Sequence, residues 1–253
     1  MKAFEAQHYL VEVALRHPEQ VDKSGYPFNI PAIAALDTLV FHPKVTFFVG
    51  ENGAGKSTLI EAIAICCGFN PEGGTRNFNF GTRASHSVLH RNLRLVRSPR
   101  RPRDGFFLRA ESYFNVATNI EQLDAEPGPG APILPGFGGV SLHEQSHGES
   151  FFALLEHRFG GHGLYILDEP EAALSPTRQL SFLARMHELI GQGSQFIIAT
   201  HSPIILAYPD ADIYVLDQTG IGRTRYEDTE HYDVTRNFLN HREVFLKTLL
   251  ETE

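Results

Sequence analysis

The chain has only two cysteines, no apolar run near the length of a bilayer span and no excess of basic charge. A membrane-crossing helix needs roughly 20 consecutive apolar residues, so direct membrane insertion is not expected. The opening residues, MKAFEAQHYL, lack the apolar core of a secretory signal. Cys66 and Cys67 are adjacent among apolar neighbours, and nothing near them has metal-ligand spacing. A packing role in a reducing, cytoplasmic setting is expected. The net charge of −8 argues against an obligate electrostatic grip on DNA or anionic lipid. The sequence carries no internal repeat and no heptad run. With 42% hydrophobic residues over 253 positions, it can bury a core without disulfides. Residues 1–253 read as a single domain.

Residues 50–57 read GENGAGKS and fit the P-loop pattern G-x-x-x-x-G-K-[ST] at every fixed position. An apolar strand, 45–49, leads in, and a helix over roughly 56–67 leads out. Gly50, Gly53 and Gly55 let the chain turn tightly, so backbone N–H groups can point at phosphate oxygens. The expected phosphate cradle is therefore Gly50, Glu51, Asn52, Gly53, Ala54, Gly55, Lys56, Ser57 and Thr58. Lys56 adds a mobile positive charge for the β- and γ-phosphates, and Ser57 offers a hydroxyl to Mg2+. The helix aims the positive end of its dipole at the same anion. ATP and Mg2+ are the expected ligands.

The segment LYILDEP, 164–170, is four apolar residues followed by Asp168 and Glu169. A buried strand ending there places both carboxylates at the edge where open α/β sheets bind ligands. Asp168 is expected to hold Mg2+, and Glu169 to polarise the water that attacks the γ-phosphate. FIIATHSP, 196–203, sets His201 just past another core strand, within reach of the γ-phosphate. Lys56, Glu169 and His201 are thus the expected catalytic set. QSHGES, 145–150, opens a helix, and Ser146 and Gly148 there offer an anion-binding surface. Ser146 with Glu149 three residues on is also a capping box, and both readings can hold.

Around these motifs, residues 8–15 read as a strand. Residues 87–96 alternate apolar and polar, 97–103 (RSPRRPR) break the run, and 105–109 return. The two runs are expected to pair as an antiparallel hairpin in a small β lobe spanning about 84–111. Residues 112–124 and 148–157 read as helices flanking a Pro- and Gly-rich loop over 126–139, which gives a helical segment over about 112–160. Strands over 164–167, 196–199 and 213–216 then alternate with a helix over 176–191. Its apolar positions are 180, 183, 186, 189 and 190. Asp233 is expected to cap a last helix running to about Leu250. Short apolar strands separated by helices indicate a mostly parallel sheet covered on both faces.

In this order, GENGAGKS, QSHGES, LYILDEP and FIIATHS resemble the Walker A, signature, Walker B and switch-histidine motifs of the ATP-binding-cassette (ABC) ATPases. The resemblance covers about residues 26–205. It implies an α/β fold: a P-loop NTPase core with a mostly parallel sheet flanked by helices, a small antiparallel β subdomain and a short helical signature segment. Ser146, Gly148 and Glu149 match the signature serine, second glycine and glutamine, while His147 and Gln145 depart from it. EAALSP, 171–176, is more similar to the soluble RecF- and SMC-like ATPases than to transporters, with Ser175 at the D-loop aspartate's position. Glu111 or Gln122 stands where the Q-loop glutamine is expected, and Glu111 there could hold Mg2+ or its water. Tyr26 or Phe28 is the candidate adenine platform.

The resemblance further implies a head-to-tail homodimer. The signature of one copy faces the P-loop of the other, ATP closes the dimer and hydrolysis opens it. The expected function is a soluble ATPase that switches an unidentified protein partner. The stretch between Glu111 and Ser146 is too short for the coiled coils of SMC-like proteins. Two alternatives stand: a DNA-binding repair or defence ATPase, and the ATP-binding subunit of a transporter with a separate permease. Nucleic acid has support only from Arg91, Arg94, Arg97, Arg100, Arg101 and Arg103, which also fit a solvated hairpin tip.

Overall fold

A computed structural model describes residues 8–76, 87–110, 118, 139 and 147–250. Among these residues the strands are β1 (Leu10–Leu15), β2 (Thr38–Val40), β3 (Val45–Val49), β4 (Leu93–Arg97), β5 (Asp104–Arg109), β6 (Gly163–Asp168), β7 (Gln195–Ala199), β8 (Asp212–Asp217) and β9 (Gly220–Thr224). The helices are α1 (Pro31–Ala34), α2 (Lys56–Cys66), α3 (His147–Ala153), α4 (Pro176–Gly191), α5 (Pro203–Leu206), α6 (Glu230–Asn240) and α7 (Arg242–Leu250). A six-stranded sheet runs β5-β6-β7-β3-β8-β9. It is parallel from β5 to β8, with β9 antiparallel at the edge. A second, three-stranded antiparallel sheet runs β2-β1-β4. This is the expected α/β class.

The apolar strands are explained by burial on both faces. Val45, Phe47, Tyr165, Leu167, Phe196 and Ile198 project into one core with Phe151, Phe182 and Met186. Phe48, Leu164, Ile166, Ile197 and Ala199 project into the other, with Leu59, Ile60 and Ile63 of α2. Every residue of β3, β6 and β7 is buried. The fully buried Gln195 side chain ties the two sheets together. Its Oε1 accepts from the backbone N–H of Tyr9 and Leu10, both at 2.9 Å, and its Nε2 donates to the carbonyls of Leu10 and His42, both at 3.0 Å.

The expected hairpin over 87–96 and 105–109 does not form. Residues Val88–Asn92 make a 3-10 turn, and β4 pairs with β1. β5 instead lies parallel to β6 in the main sheet. The two runs differ in kind: β5 carries the continuous apolar Phe106, Phe107 and Leu108, all buried, as a two-faced parallel sheet requires. β4 alternates and suits a sheet with one open face. The arginine-rich segment between them is therefore a crossover between sheets and not a hairpin tip.

The C-terminal helix also differs from expectation. Thr229, not Asp233, is the N-cap, its side chain accepting from Tyr232 N–H, and the helix breaks at His241 into α6 and α7. Helix α3 widens into a π turn over Leu154–Arg158. The expected helix over 112–124 and loop over 126–139 lie outside the described residues, except for Thr118 and Gly139. On α4, Leu183, Met186, Leu189 and Ile190 meet the core as expected, but Leu180 is 58% exposed and Phe182 is fully buried. Phe182→Ala should therefore lose about 3–5 kcal/mol, and Leu180→Ala less than about 0.5 kcal/mol. Denaturant unfolding of both variants checks this order; equal losses would contradict it.

Candidate functional site

The loop after β3 is shaped by close backbone approach. Gly50 has φ 145°, and a Cβ there would run into the Leu216 carbonyl oxygen at the end of β8. Only glycine lets the loop pass this near its neighbouring strand. Gly55, at φ 97°, is the N-cap of α2, and no side chain caps that helix. Its dipole therefore opens into the loop, ready for an anion.

Lys56 is buried, and its Nζ donates to the loop's own carbonyls, Gly50 O at 2.8 Å and Glu51 O at 3.0 Å. Desolvation lowers the ammonium's pKa, and the carboxylates of Glu169, Asp168 and Glu171 act against that shift. A phosphate offers the ammonium stronger, charge-assisted partners than neutral carbonyls do.

Ser57 donates its hydroxyl hydrogen bond to Asp168 Oδ1 at 3.1 Å. Asp168 is buried at the end of β6, with Arg109 Nε 3.8 Å from its Oδ2. Arg109 also donates to Glu61 Oε2 of α2 at 2.6 Å. A hydroxyl and a carboxylate are hard oxygen donors of the kind Mg2+ takes when it shares its shell with water and substrate phosphates. Among the described residues no group of three or more His, Cys, Asp and Glu is arranged to hold a metal ion.

Glu169 follows with φ 53° and ψ 52°, a left-handed conformation that costs an L-residue about 1–2 kcal/mol. Its N–H donates to Ala199 O at 2.9 Å, past the end of the sheet. Its Oε1 lies 3.6 Å from His201 Nε2, too long for a hydrogen bond. That Nε2 is shielded from solvent and has no hydrogen-bond partner among the described residues. Glu171 holds the histidine's backbone. It accepts from His201 N–H at 2.5 Å and from the Thr200 hydroxyl at 2.7 Å. Beside His201 a cavity of ≈ 520 Å³ is lined by Glu51, Asn52, Glu230, His231, Val234 and Thr235.

The structure thus brings Lys56, Ser57, Asp168, Glu169 and His201 to one edge of the sheet. Gly148 and Glu149 stand in the first turn of α3, beside the segment that follows β6. A Cβ on Gly148 would meet Ala173 O, and Glu149 faces the Arg178 guanidinium at 3.7 Å. Glu111, Gln122 and Ser146 lie outside the described residues. Of the two aromatic candidates, Tyr26 is exposed with its hydroxyl 3.1 Å from Thr58 Oγ1, while Phe28 is buried in the core. Several arginines of the basic run have internal partners: Arg94 meets Glu12 at 3.4 Å, Arg97 donates to the Cys66 carbonyl, and Arg100 meets His162 Nδ1 at 3.1 Å. Sequence reasoning missed Arg109, Glu171 and His231. Glu171 was the most accessible of these, since it lies two residues past the expected acid.

Two family models match the chain. One, described as "AAA domain", covers residues 29–101, and another, described as "AAA domain, putative AbiEii toxin, Type IV TA system", covers residues 138–207. The cytochrome c biogenesis ATP-binding export protein CcmA of Brucella abortus is 31% identical over 163 residues, which is 61% of this chain and 71% of that protein. The chain belongs to the ABC ATPase family. Members of this family are ATP hydrolases. The energy-coupling factor transporter ATP-binding protein EcfA2 of Methanospirillum hungatei is 27% identical over 78% of this chain. The chain spans about half, 51%, of that relative's length. MJ1267, an ATP-binding cassette of an ABC transporter, superposes with a TM-score of 0.53 over 94% of this chain and 97% of its own. At 17% identity this is agreement in fold. Among the described residues no helix is long and apolar enough to cross a membrane.

The buried imidazoles make a pH prediction. Desolvation lowers the pKa of His42, His201 and His231 from 6.5. The unfolded rings take up protons near that value while the folded rings resist, so the unfolded state binds more protons there. Stability is then full above 6.5 and falls as pH drops through the window below it. Burial raises the pKa of Glu171, which acts in the opposite sense nearer the carboxyl range. Thermal melts should show Tm falling between about pH 7.5 and about pH 5.5, with a shallower slope once the three histidines are replaced by glutamine. A flat Tm in the parent protein would contradict this.

Proposed function

We propose that this chain binds ATP with Mg2+ at the Gly50–Thr58 loop and hydrolyses it to ADP and phosphate, acting in the cytoplasm as one continuous domain. The reading is carried by one observation. A buried lysine, a Ser57–Asp168 pair, a strained Glu169 and an unpartnered His201 nitrogen converge at the ends of adjacent parallel strands. Loop amides and α2 hold the phosphates, and Lys56 moves from its carbonyl partners to the phosphoryl oxygens. Mg2+, held by Ser57 and Asp168, would neutralise charge on the β- and γ-phosphates. Glu169 orients and polarises a water whose oxygen attacks the γ-phosphorus, and the bond to the bridging oxygen of ADP breaks. His201 hydrogen-bonds the γ-phosphoryl group through Nε2. Tyr26, at the mouth of the loop, is the better placed platform for adenine.

One side of the γ-phosphate is left to a second copy. Gly148 and Glu149 of that copy, in the first turn of α3, together with Ser146, complete the site head-to-tail, and two-fold symmetry closes two such sites at once. ATP favours the closed dimer because only there does the γ-phosphate gain both sets of donors. Hydrolysis reopens it, and a partner protein reads the change. A second reading is favoured by the names of the relatives: CcmA is an ATP-binding export protein and EcfA2 a transporter ATP-binding protein, so the partner could be a separate permease. The EAALSP segment favours the first reading. Arg94, Arg97 and Arg100 make contacts within the chain, which weighs against DNA as the partner, although all six arginines of the run are exposed.

Glu169→Gln should bind Mg-ATP, fail to turn it over and accumulate as a dimer in light scattering. Monomer alone in excess Mg-ATP would count against the dimer. Molecules that co-purify with the trapped species separate a soluble partner from a permease. Lys56→Ala should lose about tenfold or more in ATP affinity, the scale of a lost charge-assisted phosphate contact. Titration with a fluorescent ATP analogue checks this, and unchanged affinity would mean that the phosphates are held elsewhere.

A further inference from the structure

His231 sits in the first turn of α6, a helix with no buried residue. Its ring nevertheless reaches the site: Nε2 lies 3.0 Å from His201 Nδ1, with the ring centroids 5.1 Å apart. A neutral imidazole carries one N–H, so across this contact one ring donates and the other accepts. If His201 donated from Nδ1, its Nε2 would be a bare lone pair. That lone pair would be shielded from water, 3.6 Å from the Glu169 carboxylate and facing the place of an anionic phosphate. Acceptor would face acceptor. The opposite arrangement puts the His201 proton on Nε2, aimed at the anionic side, and requires His231 to donate. The tautomer of a functional histidine is set by the hydrogen bond at its other nitrogen.

We propose that His231 is a positioning residue, donating its Nε2–H to His201 Nδ1 and so fixing the tautomer in which His201 presents Nε2–H to the γ-phosphate. The inference rests on the phosphate-contacting role of His201 given above. It also gives α6 a direct tie to the nucleotide site, since Glu230, His231 and Val234 of that helix line the cavity against Glu51 and Asn52 of the loop.

Steady-state ATP hydrolysis by the full chain tests it in four variants: His231→Ala, His231→Gln, His201→Ala and the double alanine variant. His231→Ala should lower kcat about tenfold or more, with KM for ATP within about threefold, as when an outer partner of a functional histidine is lost. His231→Gln, whose amide N–H can donate, should recover most of that loss. The double variant should be no worse than His201→Ala alone, because the effect passes through His201. A kcat for His231→Ala at the parent value with His201→Ala impaired would overturn the inference and leave the site reading intact. A glutamine variant as impaired as alanine, or fully additive losses, would also overturn it. Parent-level turnover by His201→Ala would instead remove the reading beneath it. A readout independent of variant folding is the 15N spectrum of histidine-labelled parent protein. It should show a protonated Nε2 and a bare Nδ1 at His201, and the reverse pattern would overturn the assignment.

Discussion

Register across the parallel sheet is the constraint on which the site depends. Arg109, Asp168, Ala199, Phe48 and Tyr214 stand in a single row through consecutive strand pairings. The ladder carries on past that row, as Glu169 N–H bonds Ala199 O and Thr200 N–H bonds Phe48 O. Residues far apart in the chain therefore leave the sheet at one level. A slip of one residue in the β6–β7 or β7–β3 pairing would turn a buried strand's side chains to the opposite face and take Asp168 away from Ser57. The register is locked because both faces of β3, β6 and β7 are filled.

That edge collects charge in a poorly solvated place, and the surrounding groups offset the cost. Lys56 rests on two loop carbonyls. Arg109 bridges Glu61 and Asp168, linking α2 to the ends of β5 and β6. Glu171, half-buried and with its pKa raised by desolvation, is held by Thr200 and the His201 amide. Lys56, Arg109, Asp168 and Glu171 each have an internal partner that a ligand can replace or share. Such an edge is built before nucleotide arrives, with local strain concentrated at Glu169.

Much of this could be read from the residues. The loop 50–57, the strands 45–49 and 164–167 and the helix over 176–191 depend on local pattern, and local pattern is what a sequence displays directly. The misreadings fall where partners are distant. Alternation in β4 marked a half-exposed strand but could not say that its partner was β1, placed near the start of the chain. Thr229 and Asp233 are both cap-forming residues four positions apart. The choice of Thr229 follows from its buried hydroxyl, which donates to Tyr226 O at 2.7 Å. Gln195, Arg109, Glu171 and His231 carry no motif, because their roles come from contacts the fold creates.

The most direct measurement is a crystal structure of the chain with Mg2+ and a non-hydrolysable ATP analogue. The β- and γ-phosphates should lie within the amides of residues 50–57. Lys56 Nζ should be shifted from the Gly50 and Glu51 carbonyls onto phosphate oxygens, the metal bound through Ser57 and Asp168, and His201 Nε2 within hydrogen-bond distance of the γ-phosphate. A nucleotide whose phosphates sit away from this loop, with Lys56 still on its carbonyl partners, would contradict it.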